Sequence, residues 1–206
     1  MIDKFVYVHI LKTAGTTIRH NLLDTRYKGR WLYDSMFKLK RNDKIITDHP
    51  LIIENQLYPS VDYKKYDVIF GHFKYDKYEH LNRPMFSFVR HPVSRMISNY
   101  YYFKSSYEKM GKNISLMEFS EMWKDHMTYI LDDISKYKYI GIVEKFKKSL
   151  NEMCDILGIS PPKRVLSKRI GIGYKPDKIS KRIRKKIEKI NMKDMMLYHE
   201  VLKKWQ

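Results

Sequence analysis

Two short segments of this chain carry residues suited to holding phosphate. Lys12-Thr13-Ala14-Gly15-Thr16-Thr17 follows an apolar run over residues 4–10, and Arg90 to Ser98 follows the apolar run Met85–Val89. In each, a strand is expected to pass through a small polar loop into a helix. Such a junction binds anions, because the first N–H groups of a helix lack partners and stand at the positive end of its dipole. Gly15 lets backbone approach an oxyanion, the hydroxyls of Thr13, Thr16 and Thr17 can donate, and Lys12 adds a mobile positive charge. Arg90 ends an apolar strand, where an unpaired charge is costly, and its guanidinium fork matches the oxygens of a phosphate. Ser94, Ser98 and Tyr102 recur one helical turn apart and share a face of the helix that follows. Two such sites on one sheet suit a ligand with phosphate groups at both ends. The competing readings are an ordinary strand-to-helix turn for the first segment and a structural ion pair for Arg90. The first segment is not a Walker A loop, which places its lysine after a second glycine; here Lys12 precedes the loop's glycine.

His72 is a third candidate, directly after the apolar run Asp67–Gly71. Imidazole titrates near physiological pH and can take a proton from a hydroxyl, although a lone histidine is often structural. His9, His20, His80, His91 and Glu79 have neither a Cys/His cluster nor H-E-x-x-H spacing, so no metal site is expected. Cys154, the single cysteine, lies on an apolar helical stripe with Met153, Ile156 and Leu157 and reads as a packed core thiol.

The elements that must position these groups alternate along the chain. Residues 4–10, Asp67–Gly71, Met85–Val89 and Tyr139–Val143 are predicted strands. Thr16–Leu23, Pro92 to about Ser106, Glu144–Leu157, Ser180–Ile190 and Asp194–Trp205 are predicted helices. Pro92 suits a first helical turn, Ser115 with Glu118 forms a capping box, and Gly158 closes a helix ahead of Pro161-Pro162. Residues 24–65 are weakly patterned; a strand near Lys44–Thr47 and a helix near Leu51–Leu57 are expected there. Residues 163–178 form a basic, glycine-containing loop. Strands alternating with helices predict an α/β fold, a single domain over 1–206 whose central parallel sheet is flanked by helices.

Composition narrows the class. The chain has 206 residues, 43% of them hydrophobic, which fits one globular domain with a real core. It has no apolar run of about 18 residues, so no membrane span is expected. The N-terminus enters a strand directly, and with one cysteine this predicts a soluble cytoplasmic protein in a reducing compartment. The net charge of +18 implies polyanionic partners. Lysines spread along the chain supply much of that excess, so charge alone does not choose between nucleic acid, anionic lipid, anionic glycan and a phosphorylated cofactor.

The paired motifs resemble those of sulfotransferases that use 3′-phosphoadenosine 5′-phosphosulfate (PAPS). Lys12–Thr17 is similar to the family's 5′-phosphosulfate loop, with Leu11 where proline usually stands. Arg90-x-Pro92-x-x-Arg95-x-x-Ser98-x-Tyr100-Tyr101 is similar to its 3′-phosphate motif. The carbohydrate branch, of the heparan sulfate 2-O-sulfotransferase type, is the nearest resemblance. It implies a P-loop-like sulfotransferase fold, PAPS as donor, 3′-phosphoadenosine 5′-phosphate (PAP) as product and no metal. It implies donor contacts from Lys12, Thr13, Ala14, Gly15, Thr16, Thr17, Arg90 and Ser98. The loop residues Lys168, Arg169, Tyr174 and Lys175 fall where relatives fold a loop over the nucleotide; a solvated basic loop is the competing reading. Lys12 and His72 become the catalytic pair, with Phe70 where relatives often have a second histidine. Ile140–Phe146 and Asp194-x-x-Leu197-Tyr198 resemble family segments that are mostly core. The acceptor implied is a hydroxyl, of a glycan such as an anionic polysaccharide or of another acceptor, gripped by segments 24–45 and 72–83, and no nucleic acid is expected. The rivals are a basic nucleic-acid-binding protein, which leaves the two phosphate motifs unexplained, and another phosphonucleotide-binding enzyme.

Overall fold

The computed structural model describes residues 2–34, 38–41, 44–48, 61–165 and 179–205; for 38–41 and 44–48 only the backbone is described. Seven strands form one sheet: β1 (Phe5–Val8), β2 (Trp31–Asp34), β3 (Lys38–Arg41), β4 (Lys44–Asp48), β5 (Val68–Gly71), β6 (Met85–Val89) and β7 (Tyr139–Ile142). Their order across the sheet is β4-β3-β2-β5-β1-β6-β7. The strands from β2 to β7 in that order are mutually parallel, and β3 and β4 extend the β2 edge as an antiparallel hairpin. The expected parallel sheet is therefore present, with an added hairpin whose second strand covers the Lys44–Thr47 prediction. Strand β2 was not foreseen. Its short run Trp-Leu-Tyr-Asp ends on a carboxylate and lacks the apolar length of the other parallel strands. The helix expected near Leu51–Leu57 lies outside the described residues.

The sheet buries both faces, as parallel sheets covered by helices do. Alternation along β1 divides its side chains between two cores. Phe5 and Tyr7 pack with Phe70, Phe86, Phe88, Leu150, Met153 and Cys154 on one face. Val6 and Val8 pack with Ile69, Val89, Met127, Leu131, Ile140 and Leu197 on the other. Cys154 is fully buried there, as its apolar stripe suggested. Burial raises its thiol to about 11.

The helix after β1 opens one residue earlier than predicted and runs through α1 (Gly15–Ile18), a π-helical turn at Arg19–Leu23 and α2 (Asp24–Arg26). Helix α3 (Pro92–Lys109) starts at the predicted proline and outlasts Ser106 by three residues. Ser115 and Glu118 close a reciprocal capping box on α4 (Leu116–Met122). Helix α5 (His126–Leu131) was not read from sequence; at six residues it is too short for a full apolar period. Helix α6 (Phe146–Leu157) begins after a 3₁₀ turn at Val143–Lys145 and ends at Gly158, whose φ of 73° suits glycine. Helices α7 (Lys181–Ile190) and α8 (Met192–Trp205) complete the fold.

Two buried carboxylates tie these parts together. Asp194, at the start of α8, accepts from the Met127 and Thr128 N–H groups and the Thr128 hydroxyl, and pairs with fully buried Arg95 at 3.4 Å. It thus fastens α8, the N-terminus of α5 and the first turn of α3 at one point. Asp34, at the end of β2, pairs with Lys77 at 2.6 Å, and both side chains are 1% exposed. The Tyr78 hydroxyl donates to the same carboxylate oxygen at 2.9 Å.

Removing one member of a buried ion pair strands the other charge at a cost of about 3–5 kcal/mol. Lys77→Met is therefore expected to lower unfolding free energy by about that amount in urea titration. Asp34→Leu combined with Lys77→Met should recover a large part of the loss, since no charge is then left unpaired.

Candidate active site

The loop after β1 is built for oxyanions. Lys12 and Ala14 adopt φ of 68° and 64°, while Thr13 between them does not share this left-handed twist. Alternation of this kind turns successive N–H groups toward one concave side, a nest for anions. Holding L-residues in that region costs about 1–2 kcal/mol each, so the surrounding fold must impose it. Thr13 does part of this, its hydroxyl donating to the Ile10 carbonyl at 2.8 Å from a fully buried position. The Ala14 carbonyl accepts from the Thr17 and Ile18 N–H groups and starts the helix. Among the described residues, the N–H groups of Ala14, Gly15 and Thr16 find no backbone acceptor.

Gly15 is required by close approach. A Cβ there would collide with the His9 imidazole, which lies directly against the loop. Gly71, at the end of β5, is constrained likewise by the Asp34 carbonyl. That carbonyl accepts the His72 N–H at 2.8 Å and so anchors the residue next in line.

These groups surround a cleft of about 270 Å³ at the carboxyl ends of β5, β1 and β6. Lys12, Ala14, Gly15, Thr16, Thr17, His72, Arg90 and Ser98 line it, so the candidates from three separate segments converge. Thr13 does not line it and instead braces the loop. Ser94 is also absent from the lining, so only Ser98 and Tyr102 of the expected helix face point inward. Lys168, Arg169, Tyr174 and Lys175 fall outside the described residues. The Lys12 ammonium stands 4.5 Å from the Tyr102 ring centre, a cation–π contact at the mouth of the cleft. His9, Leu11, Tyr33 and Val143 also line it and were not assigned to the donor site from sequence. His9 carried a readable signal. It has the same parity as Phe5 and Tyr7 and stands just beyond the carboxyl end of a central strand, where open α/β sheets place their ligands.

His72 is held in one tautomer. Its Nδ1 lies 2.7 Å from the His9 carbonyl oxygen, which can only accept, so Nδ1 carries the proton and Nε2 keeps its lone pair. The two rings lie 4.3 Å apart, and His9 stacks on Phe70 at 5.1 Å. Burial lowers the His72 imidazole to about 4, partly opposed by its bond to His9. His9 is lowered well below the usual range, first by burial and then by the charges of His72, Lys12 and Arg19. Both rings are therefore neutral near pH 7. Behind them a small cavity extends to His126, whose imidazole burial lowers to about 3, aided by Arg95 and His72.

On the Arg90 side, Glu144 fixes the start of α3. Its carboxylate accepts the His91 N–H at 3.0 Å and the Tyr198 hydroxyl at 3.2 Å. A carboxylate at a helix N-terminus is favourable through the dipole. The Ile140–Phe146 and Asp194–Tyr198 segments thus act as framework, apart from Val143 at the cleft. No group of three or more His, Cys, Asp or Glu suited to a metal ion occurs among the described residues.

A parallel α/β fold whose nest, arginine and neutral imidazole meet at the carboxyl edge of the sheet brings together groups suited to an anionic, phosphate-bearing ligand. The chain belongs to the Sulfotransferase family, whose model matches residues 2–200. No curated protein sequence is significantly similar to it. Its fold is similar to that of mouse sulfotransferase SULT7A1, solved in complex with PAP. That match has 12% identity, a TM-score of 0.57, and coverage of 99% of this chain and 89% of that one. It is also similar to a sulfotransferase from Alicyclobacillus acidocaldarius at 12% identity and a TM-score of 0.52, covering 98% and 96% of the two chains. The expected family and the P-loop-like α/β fold are thus both found.

The lowered imidazoles set a pH dependence. Between the usual histidine value near 6.5 and about 4, the unfolded chain binds protons that folded His72 does not. Stability is therefore expected to be independent of this residue above about pH 6.5 and to fall as pH drops toward 4. An NMR titration should find the His72 ring still neutral at pH 5.5, and a midpoint near 6.5 would contradict the buried environment.

Proposed function

We propose that this protein transfers a sulfuryl group from PAPS to a hydroxyl of a glycan. The observation that carries the reading is convergence: the Lys12 loop, Arg90 with Ser98, and a neutral His72 with its Nε2 lone pair all line one cleft. The loop fits an oxyanion because its first-turn N–H groups are unspent and its backbone is already turned.

The N–H groups of Ala14, Gly15 and Thr16, with the hydroxyls of Thr16 and Thr17, would hold the 5′-phosphosulfate. Arg90 and Ser98 would hold the 3′-phosphate and so select PAPS over nucleotides lacking that group. When bound, the donor supplies a sulfuryl group open to in-line displacement, with negative charge growing on the oxygen that departs with the 5′-phosphate. Lys12 meets that charge, and such preorganised donors are a major source of rate enhancement. His72 Nε2 takes the acceptor proton. Its lowered basicity keeps it unprotonated in mildly acid solution. Lys168, Arg169, Tyr174 and Lys175 are assigned to the nucleotide through the family resemblance alone.

Support for a glycan acceptor comes from the resemblance to the heparan sulfate 2-O-sulfotransferase type and from the charge of +18, which would gather an acidic polymer. Not every cation of the 72–83 segment contributes. Lys77 is buried against Asp34, whereas Lys74 stands 5.0 Å from the Tyr129 ring centre.

Calorimetry tests the donor site. PAP is expected to bind much more tightly than AMP, and Arg90→Ala to erase most of the difference, a charged hydrogen bond being worth about 1.5–3 kcal/mol. Equal affinity of the unaltered protein for PAP and AMP would overturn the reading. For the acceptor, transfer of radiolabelled sulfate to uronic-acid-containing polysaccharides is expected to exceed transfer to simple phenols and to decline as salt rises. Exclusive use of phenols without salt sensitivity would remove the glycan assignment and leave sulfuryl transfer intact.

A further inference from the structure

The mechanism above leaves one buried, chemically capable side chain of the cleft without a role. His9 lines both the donor cleft and the small cavity behind His72. Its ring fills the space against Gly15 that a side chain there would need, and it also packs against His72 and Phe70. It therefore lies beneath the phosphosulfate loop, between that loop and the base. Its Nδ1 is buried with no hydrogen-bond partner among the described residues.

A neutral imidazole has one N–H and one lone pair. A buried N–H without an acceptor is among the rarest states in folded proteins, whereas an unused acceptor is better tolerated. With Nδ1 enclosed, the proton belongs on Nε2, the nitrogen that abuts the loop at Gly15. The adjacent ring has the opposite arrangement, because the His9 carbonyl holds the proton of His72 on Nδ1. Two neutral imidazoles in contact thus offer opposite faces, one donating and one accepting. Burial and the nearby cations Lys12 and Arg19 keep His9 from becoming a second base.

We propose that His9 is a neutral hydrogen-bond donor that contacts the transferred sulfuryl group through Nε2–H while His72 accepts the acceptor's proton. This rests on the sulfotransferase reading given above and adds a contact specific to the sulfuryl oxygens. The donor orients the group between loop and base without competing for the proton that must move.

PAPS and PAP differ by that sulfuryl group, so the contact can be read from binding alone. His9→Phe keeps an aromatic ring on Phe70 and His72 and lacks the N–H. It is expected to weaken PAPS by about ten- to a hundredfold in calorimetry while leaving PAP within a few-fold. His9→Gln, whose amide nitrogen reaches about as far as Nε2, should restore most of the PAPS affinity. His9→Asn, whose amide reaches only as far as Nδ1, should not. In the unaltered protein with PAP bound, nitrogen-15 NMR of the imidazoles should place the proton of His9 on Nε2 and that of His72 on Nδ1. Equal losses for PAPS and PAP in His9→Phe, or a His9 proton on Nδ1, would overturn the proposal. Failure of the unaltered protein to discriminate PAP from AMP would instead remove the donor reading beneath it.

Discussion

The site depends on the parallel, in-register pairing of β1 with both neighbours. Val8 lies opposite Gly71 on β5 and Ser87 on β6, so all three strands end at one edge of the sheet. Two buried bonds fasten that edge: the His9 N–H to the Gly71 carbonyl at 2.7 Å, and the Ser87 hydroxyl to the Val8 carbonyl at 2.7 Å. Lys12 follows β1, His72 follows β5 and Arg90 follows β6. A slip of one residue in either pairing would turn alternate side chains to the opposite face and separate these groups. Chemistry drawn from three distant segments thus rests on a ladder of backbone hydrogen bonds.

Electrostatics around the cleft follow from what is buried and what is not. The imidazoles have low-dielectric surroundings and stay neutral, while Lys12 and Arg90 lie where an anion can reach them. Among the described residues, the other deeply buried charges are compensated inside the framework, Lys77 by Asp34 and Arg95 by Asp194. Arg95 belongs to the same sequence motif as Arg90, yet the two have unrelated tasks. One faces the cleft, and the other ties α3 to α8.

Much of this was legible in the sequence because it is local. The apolar runs of β1 and β6, Pro92 at the start of α3, the Ser115 capping box and Gly158 at the end of α6 all act through near neighbours. The two strand–loop–helix junctions were legible for the same reason, since a strand, a loop and a helix start are consecutive. The role of Thr13 as a brace was not, because it turns on which way one side chain points. His9 lay in plain view at the end of β1, but its contacts with Gly15 and His72 depend on tertiary packing. The burial of Lys77, within a segment expected to grip the acceptor, has no local signal because its partner, Asp34, is distant in sequence. Strand β2 escaped notice because its place between β5 and the hairpin, rather than its own pattern, makes it a strand.

The solitary thiol of Cys154 has a practical consequence. It is wedged between α6 and the sheet, and only its thiolate form would react with an alkylating reagent. With ionisation suppressed and access closed, modification must wait for α6 to part from the sheet. The rate of alkylation therefore clocks that opening, and the native chain reports on its own breathing without an introduced label. A cysteine placed on the surface would react before the buried Cys154, which makes the unaltered sequence a ready background for site-directed fluorophores.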